Sequence, residues 1–302
     1  MNIVIIGYGA IGQERGDALN KLGFNPIIVD PAHSPYSIEE ALSYNPEWVF
    51  ICLPHNLVMG YIEECEGVKN FLIEKPCGRT IAECEGIKNR VVYGGKINVG
   101  FNYRFYKGIR ALLQDVKDNW FGDLISVNMI LALGDGPGTE KTWRLDPLQA
   151  GFGAMLDPGC HLIDLAMLIS EGTLEPQKNL NVSKFWNTGF QEEVHCLATD
   201  KNNVIYNIQA SKVRWRNTFR IEVNGTDGYG VVEGRNRNYG PQTYRRGRRW
   251  GWKSGKSQRE SEELIVSYDG EDSFFEETKA VIRGSEEAAT HQDMERILKF
   301  LA

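Results

Sequence analysis

Two stretches of different character predict an α/β chain. The first is a doubly wound parallel sheet; the second is an α+β domain with a large, mostly antiparallel open sheet. Three observations carry this prediction. Apolar runs alternate with helix-period stretches up to about residue 101, the pattern of parallel strands joined by crossover helices. A glycine-rich turn joins the first apolar run to the first helix. Beyond that point, strand-like segments follow one another with few helices between them, as in an antiparallel sheet. The expected domains are residues 1–101 and 102–302, with the last helix free to pack back on the first domain.

The first element is Ile3-Val4-Ile5-Ile6, which runs into Gly7-Tyr8-Gly9-Ala10-Ile11-Gly12. Ile11, Ala18, Leu19 and Leu22 then recur at helical spacing. Strand, glycine turn and helix in this order form the Rossmann dinucleotide fingerprint, and each glycine has a physical reason. Gly7 permits the sharp turn, Gly9 keeps no side chain between backbone and pyrophosphate, and Gly12 lets the helix lie close on the strand. The helix start at Ala10 and Ile11 adds unpaired N–H groups and a positive dipole end. The next run, Pro26-Ile27-Ile28-Val29, ends in Asp30. An acid about 20 positions past the fingerprint accepts hydrogen bonds from the adenosine ribose and repels the extra phosphate of NADP. NAD is therefore the expected cofactor, ahead of NADP. The blander reading is a glycine-tolerant turn with Asp30 merely ending a strand.

The remaining elements follow in order. Ser37-x-x-Glu40 reads as a capping box opening a short helix. Residues 48–53 are continuously apolar, as in a strand buried on both faces, and stop at Pro54-His55. Such strands aim their carboxyl ends at the ligand, which places Leu53, Pro54 and His55 on the nicotinamide side. His55 is equally readable as an ordinary loop residue. Phe71-Leu72-Ile73 ends in Glu74-Lys75-Pro76 at the same edge, and Thr80-x-x-Glu83 opens another helix. Residues 97–101 close the set. Then come a helix over 103–116, a strand over 124–133, a glycine-rich turn over 134–138 and a helix over 157–170. Strands are expected around 204–208, 219–223 and 264–268, and helices over 273–282 and 286–301.

Composition bounds the function. The chain has 302 residues, room for two ordinary domains. At 42% hydrophobic and 25% charged residues it is a globular composition, and no apolar run approaches bilayer length. It enters a strand at once, without the pattern of a secretory leader. The six cysteines show neither CxxC spacing nor a His/Cys cluster, so no metal is expected and reduced thiols in a cytoplasm fit. A net charge of −6 argues against nucleic acid as a partner. Charge is uneven, however: Arg235 to Arg259 contains many Arg and Lys, no acid, and Tyr239, Tyr244, Trp250 and Trp252 between them. Arginine beside aromatic faces suits a phosphorylated or nucleotide-linked substrate; a solvated loop or a subunit contact explains the same residues.

Two groups bear on catalysis. Lys75, at a strand end beside the expected nicotinamide, would hydrogen-bond a substrate hydroxyl and stabilise a developing alkoxide; otherwise it snorkels to water. In Asp157-Pro158-Gly159-Cys160-His161, proline suits the first helical position and Asp157 reads as an N-cap. His161 then lies in the first turn, where the helix dipole disfavours imidazolium and favours a neutral proton acceptor. Asp157 or Asp164 would orient it. The alternative for His161 is a satisfied core histidine. Trp143-Arg144 precedes Gly151-Phe152-Gly153 and supplies a cation for cofactor phosphate or substrate, or a helix-end salt bridge; the sequence does not separate these.

Taken together, these residues resemble the Gfo/Idh/MocA family of glucose–fructose oxidoreductase and inositol dehydrogenase. The matching pieces are Gly7-x-Gly9-x-x-Gly12, Glu74-Lys75-Pro76, Trp143-Arg144, Asp157-x-Gly159-x-His161-x-x-Asp164 and Phe274-Phe275-Glu276-Glu277. The resemblance covers nearly the whole chain. It implies an NAD(P)-dependent oxidoreductase acting on a secondary alcohol of a sugar, cyclitol or nucleotide-sugar. It makes Lys75 and His161 catalytic with Asp157, and Lys75, Arg104, Asp157, His161 and Arg245 the substrate contacts. It implies a Lys75–Pro76 bond that is frequently cis, and a homodimer or homotetramer built through the C-terminal sheet. Many members carry the histidine a few places later than His55. Two alternatives share the fold: a glycosidase or epimerase using transient oxidation, and a sugar or dinucleotide sensor without turnover.

Overall fold

A computed structural model describes residues 1–92, 94–151, 153–250, 253, 255 and 261–302. Its contacts divide the chain into two compact units. The first comprises Met1–Asn102, Asp146–Gly151 and Asp272–Ala302; the second comprises Tyr103–Leu145 and Phe152–Glu271. The chain thus leaves the first unit after residue 102 and returns to it twice.

The first unit begins with β1 (Ile3–Ile6), α1 (Ala10–Lys21), β2 (Ile27–Val29), α2 (Ile38–Ser43) and β3 (Trp48–Ile51). It continues with α3 (Val58–Glu64), β4 (Asn70–Glu74), α4 (Ile81–Arg90) and β5 (Lys96–Gly100). The strands form a parallel sheet in the order β2-β1-β3-β4-β5. β1 and β3 are buried along their whole length, which is why they read as unbroken apolar runs. The chain steps from β1 to β2 on one side and then crosses back to β3 on the other, so a crevice opens at the carboxyl ends of β1 and β3. The Ser37–Glu40 capping box forms in both directions. The Thr80 box forms only in part: Thr80 accepts from the Glu83 amide, while the Glu83 carboxylate accepts from Arg79.

The second unit opens with a single turn of 3₁₀ helix, Asn102–Phe105, of which Asn102 belongs to the first unit. Then come α5 (Lys107–Lys117) and β6 (Leu124–Ala132). After α6 (Pro147–Ala150), which returns to the first unit, follow α7 (Gly153–Leu156) and α8 (Cys160–Ile169). Seven strands complete the unit: β7 (Glu175–Val182), β8 (Glu193–Thr199), β9 (Ile205–Ser211), β10 (Thr218–Gly225), β11 (Gly228–Glu233), β12 (Gln242–Arg248) and β13 (Glu262–Tyr268). Among the described residues they form one eight-stranded sheet, β13-β12-β11-β10-β6-β9-β8-β7, antiparallel except for β6 beside β9. Val127, Met129, Phe219, Ile221, Tyr206 and Ile208 point to the face covered by α5 and α8. The opposite face carries Leu197, Ile205, Arg220, Glu222 and Leu264.

Several expectations need correction here. α8 begins at Cys160 with Gly159 as its N-cap, so Asp157 does not cap it; its carboxylate accepts instead from buried Lys212. Residues 175–182, 193–199, 228–233 and 242–248 are strands without a counterpart in the sequence reading. The basic segment from Arg235 is no solvated loop throughout: β12 runs through it, while Trp252 and Arg259 lie outside the described residues.

Of the last two helices, α9 (Ser273–Arg283) is tied to the first sheet by one guanidinium, while α10 (His291–Leu301) packs on α4 and β5. Arg15 of α1 has no exposed side chain. Its Nε lies 2.8 Å from Glu74 Oε1 at the end of β4, and its Nη2 lies 2.5 Å from Glu277 Oε2 of α9. Nη1 donates to Thr278 Oγ1 at 3.2 Å, and the Phe274 ring lies 4.9 Å beneath. Glycine at position 100 is part of this arrangement, since a Cβ there would stand 2.7 Å from Glu74 Oε2 and 3.0 Å from Arg15 Nη2. Deleting one member of a buried ion cluster leaves the others unpaired at a cost of about 3–5 kcal/mol. Arg15→Met is expected to lose about that much stability in urea unfolding. The triple change with Glu74→Gln and Glu277→Gln should recover a large part of it. A single variant as stable as the parent would show that the cluster does not hold α9.

Candidate functional site

In the first unit the glycine turn has the geometry a dinucleotide requires. Gly7 has φ +86°, and a Cβ on it would meet Cys52 O at 2.7 Å and Leu53 Cδ2 at 2.8 Å. Gly12 packs its Cα against the turn, where a Cβ would lie 2.1 Å from Gly7 O. Gly9 is different: a Cβ there would meet nothing within 4 Å. The chain itself has no steric need for glycine at this helix N-terminus. A bound group lying against the backbone would have one. Ala10 and Ile11 follow as the first residues of α1.

Asp30 locks the turn to the end of β2. Its Oδ2 accepts from the Tyr8 amide at 2.7 Å, and its Oδ1 from the Ala32 amide at 2.9 Å. The His33 ring lies 2.8 Å from Oδ1 through Nδ1. These contacts, the Tyr8 amide foremost, hold the carboxyl below its usual range and keep it ionised. Asp30, Gly7 and Leu53 line a cleft of about 320 Å³ together with Ser34, Tyr36 and Tyr61. The cleft lies at the carboxyl ends of β1 and β2, where the nucleoside half of a dinucleotide would sit. The residues present therefore fit a nicotinamide dinucleotide.

The rest of the expected cofactor edge is held by the fold. Pro54 begins the 3₁₀ turn His55–Leu57. His55 is buried, with Nδ1 3.1 Å from the carbonyl of Ala150. Glu74 is committed to Arg15. Lys75 follows at the end of β4, half-buried, and the Lys75–Pro76 bond is cis.

In the second unit, His161 occupies the first turn of α8 and is 4% exposed. Its ring stacks face to face on Tyr103, 3.8 Å between centroids and 9° between planes. The stack fixes the plane of the imidazole, which a proton acceptor needs. Gly159 allows the helix start to pack closely, as a Cβ there would stand 2.7 Å from Met155 and 2.8 Å from Ala210 Cβ. Asp164, expected to hold His161, is gripped by Arg104 through Nε at 2.8 Å and through Nη2. Asp157 precedes a cis proline, Pro158, and its Oδ2 accepts from Lys212 Nζ at 3.1 Å.

Lys212 is the residue that sequence reasoning missed. It is 1% exposed, and its ammonium also donates to the Arg144 carbonyl at 3.3 Å. Asp135, from the glycine-rich turn, interacts electrostatically with the same ammonium, and burial raises its carboxyl. The available signal was Ser211-Lys212 at the end of an alternating strand, where a lysine reads as a solvated strand end. Trp143 and Arg144 form a short 3₁₀ turn in which Arg144 is exposed and stacks 5.3 Å from the Trp143 ring.

Arg245 is not brought to this cluster. Tyr244 and Arg246 point toward α5, where both bond Asp115. Strand alternation therefore puts Arg245 on the opposite face of the sheet from α5 and α8. Among the described residues, no three of His, Cys, Asp or Glu gather as a metal site, and no single helix is long and apolar enough to cross a membrane.

Comparison with known proteins agrees with this architecture. Residues 109–231 match the family model described as the GFO/IDH/MocA C-terminal domain. No curated relative matches the chain in sequence. Among solved structures, aldose–aldose oxidoreductase from Caulobacter crescentus, complexed with glycerol, is 17% identical with a TM-score of 0.76, covering 100% of this chain and 95% of its own. A levoglucosan dehydrogenase complexed with NADH and levoglucosan is 17% identical with a TM-score of 0.77, covering 99% and 94%. KijD10, a 3-ketoreductase from Actinomadura kijaniata complexed with NADP and TDP-benzene, is 17% identical with a TM-score of 0.73, covering 99% and 94%. Residues 109–231 thus match the GFO/IDH/MocA C-terminal domain, and the whole chain has the fold of these solved sugar oxidoreductases.

Proposed function

We propose that the chain is an NAD(P)-dependent oxidoreductase that moves hydride between nicotinamide and a secondary alcohol of a sugar, cyclitol or nucleotide-sugar. The observation that carries this reading is Gly9. Its missing side chain answers no need of the chain itself and leaves room for a pyrophosphate against the amides of α1. Bound nicotinamide would take up or give back the hydride. His161, held flat on Tyr103, takes the hydroxyl proton as the carbonyl forms and returns it in the reverse direction. The Lys75 ammonium bonds the reacting oxygen and stabilises the charge that develops there. Asp157, fixed by Lys212, positions the sugar, and Arg104 keeps Asp164 beside the first turn of α8. Arg245 is left out because of the face it occupies.

The finer parts of the proposal are these. Asp30 favours NAD over NADP, because its charge is fixed where a second ribose phosphate would lie. Trp143 and Arg144 are assigned to binding the cofactor phosphate or the sugar. The protein works in the cytoplasm without nucleic acid or membrane partners. The apolar side chains on the open sheet face, Leu197, Ile205 and Leu264, suit a homodimer or homotetramer; a monomer in sedimentation would remove that part.

The reaction itself is tested by screening sugars, cyclitols and nucleotide-sugars for reduction of NAD and of NADP. No reduction with any of them would sink the proposal, and faster turnover with NADP would overturn the use made of Asp30. Lys75→Ala and His161→Ala should each lower kcat by about 10²–10⁴ while dinucleotide binding persists. Retained activity would take that residue out of the mechanism. Gly9→Ala should change stability by no more than about 1 kcal/mol yet weaken NADH binding measured by fluorescence. Gly12→Ala should destabilise the fold itself, because its Cβ would meet backbone. Unimpaired NADH binding by Gly9→Ala would contradict the role of the turn.

A further inference from the structure

Among the described residues, buried Arg15 faces Glu74 and Glu277, buried Lys212 faces Asp157, and half-buried Arg104 faces Asp164. Arg235 is built differently. It follows β11, and its guanidinium lies among tyrosines. The guanidinium carbon stands 3.9 Å from the centre of the Tyr239 ring and 5.3 Å from that of Tyr103. Nη1 donates weakly to Tyr106 Oη at 3.5 Å. Nε is buried and has no acceptor. Among the described residues Arg235 makes no ion pair. Through the Tyr106 hydroxyl, which donates to Glu271 at 2.6 Å, the hydrogen-bond chain reaches a carboxylate at one remove.

A desolvated charge without a counterion is costly, and aromatic faces recover only part of that cost. What the guanidinium lacks is an oxyanion, which its planar fork of donors binds through two parallel hydrogen bonds. The surroundings also say where that oxyanion would lie. Tyr103, the ring beside Arg235, is the ring on which His161 stacks. Three other arginines of the basic segment do not compete for the role: Arg246 is paired with Asp115 and Glu263, Arg248 lies over Trp120, and Arg245 is on the far face of the sheet.

We propose that Arg235 seats an anionic group of the substrate, so that the sugar presented to His161 is an acidic one carrying a carboxylate or a phosphate linkage. The assignment of His161 rests on the oxidoreductase reading; the anion seat itself does not. The test is calorimetric titration of the full chain, without cofactor turnover, using D-glucuronate, inorganic pyrophosphate and D-glucose as probes. Wild type should bind at least one of the anions more tightly than D-glucose, and raising the salt concentration should weaken that binding. Glucuronate as the tighter ligand identifies a carboxylate, and pyrophosphate a phosphate linkage. Arg235→Met should lose at least tenfold in affinity for the anion, and Arg235→Lys should retain part of it. Should Arg235→Met unfold the chain, the wild-type preference and Arg235→Lys decide. No binding of either anion by wild type, a preference for D-glucose, or unchanged anion binding by a folded Arg235→Met overturns the proposal. Either of those failures leaves hydride transfer to neutral sugars standing. Absence of hydride transfer with every sugar leaves anion binding to be read on its own.

Discussion

The first unit depends on a charge placed where a hydrophobic side chain would be expected. Arg15 lies on the inner stripe of α1, between Gly12 and Ala18, and is wholly buried. It joins three parts of the chain that are far apart in sequence: the helix after the glycine turn, the strand end that leads into Lys75, and the first of the two C-terminal helices. Buried pairs are weak sources of net stability, because desolvation offsets most of the attraction. They are strong sources of specificity when three elements must meet in one register. An apolar side chain at position 15 would tolerate sliding of α9 over α1; a guanidinium with two carboxylates does not. The strand end bearing Lys75 is therefore anchored one residue away, at Glu74, by the helix whose N-terminus faces the dinucleotide turn.

The second unit uses the same device around a different centre. Lys212 holds Asp157, Arg104 holds Asp164, and both carboxylates flank His161 in sequence. The imidazole itself is located by stacking on Tyr103 rather than by a carboxylate alone. Stacking of this kind fixes the plane of the ring and leaves its edge nitrogens to other partners.

Much of this was legible in the sequence, and the gaps have physical causes. The parallel sheet was plain because strands buried on both faces must be apolar throughout, as Trp48–Ile51 is. The Gly7-to-Gly12 turn and Asp30 were legible because a backbone requirement leaves no freedom of residue type. The edge strand Glu175–Val182 was not, because it is exposed along its length and carries charge and proline, as a protected edge does. β11 and β12 escaped notice because glycines and arginines interrupt their alternation; Gly228, Gly230 and Gly247 make room for Trp120, Phe121 and Tyr229. Arg15 and Lys212 were invisible for one reason. A cation in a polar-looking stretch reads as solvated until its carboxylate, 59 or 55 positions away, is brought beside it. Asp157 was misassigned because an aspartate before proline satisfies the rule for a helix cap, while its actual partner, Lys212, is the residue just after β9.

The same distinction between local and distant partners bears on how Asp30 would choose a cofactor. A carboxylate at this position is usually pictured as waiting for ribose hydroxyls. Here it is already bonded to the Tyr8 and Ala32 amides and to His33. A carboxylate has about four acceptor sites, so hydroxyls can still be received. What those bonds remove is freedom of movement: Asp30 cannot rotate aside without releasing the Tyr8 amide from the turn. A phosphate on the ribose would then meet a pinned negative charge, and relief by side-chain motion would cost the turn one of its own hydrogen bonds. On the proposed reading, the shape of the glycine turn and the choice of cofactor would both rest on this single side chain.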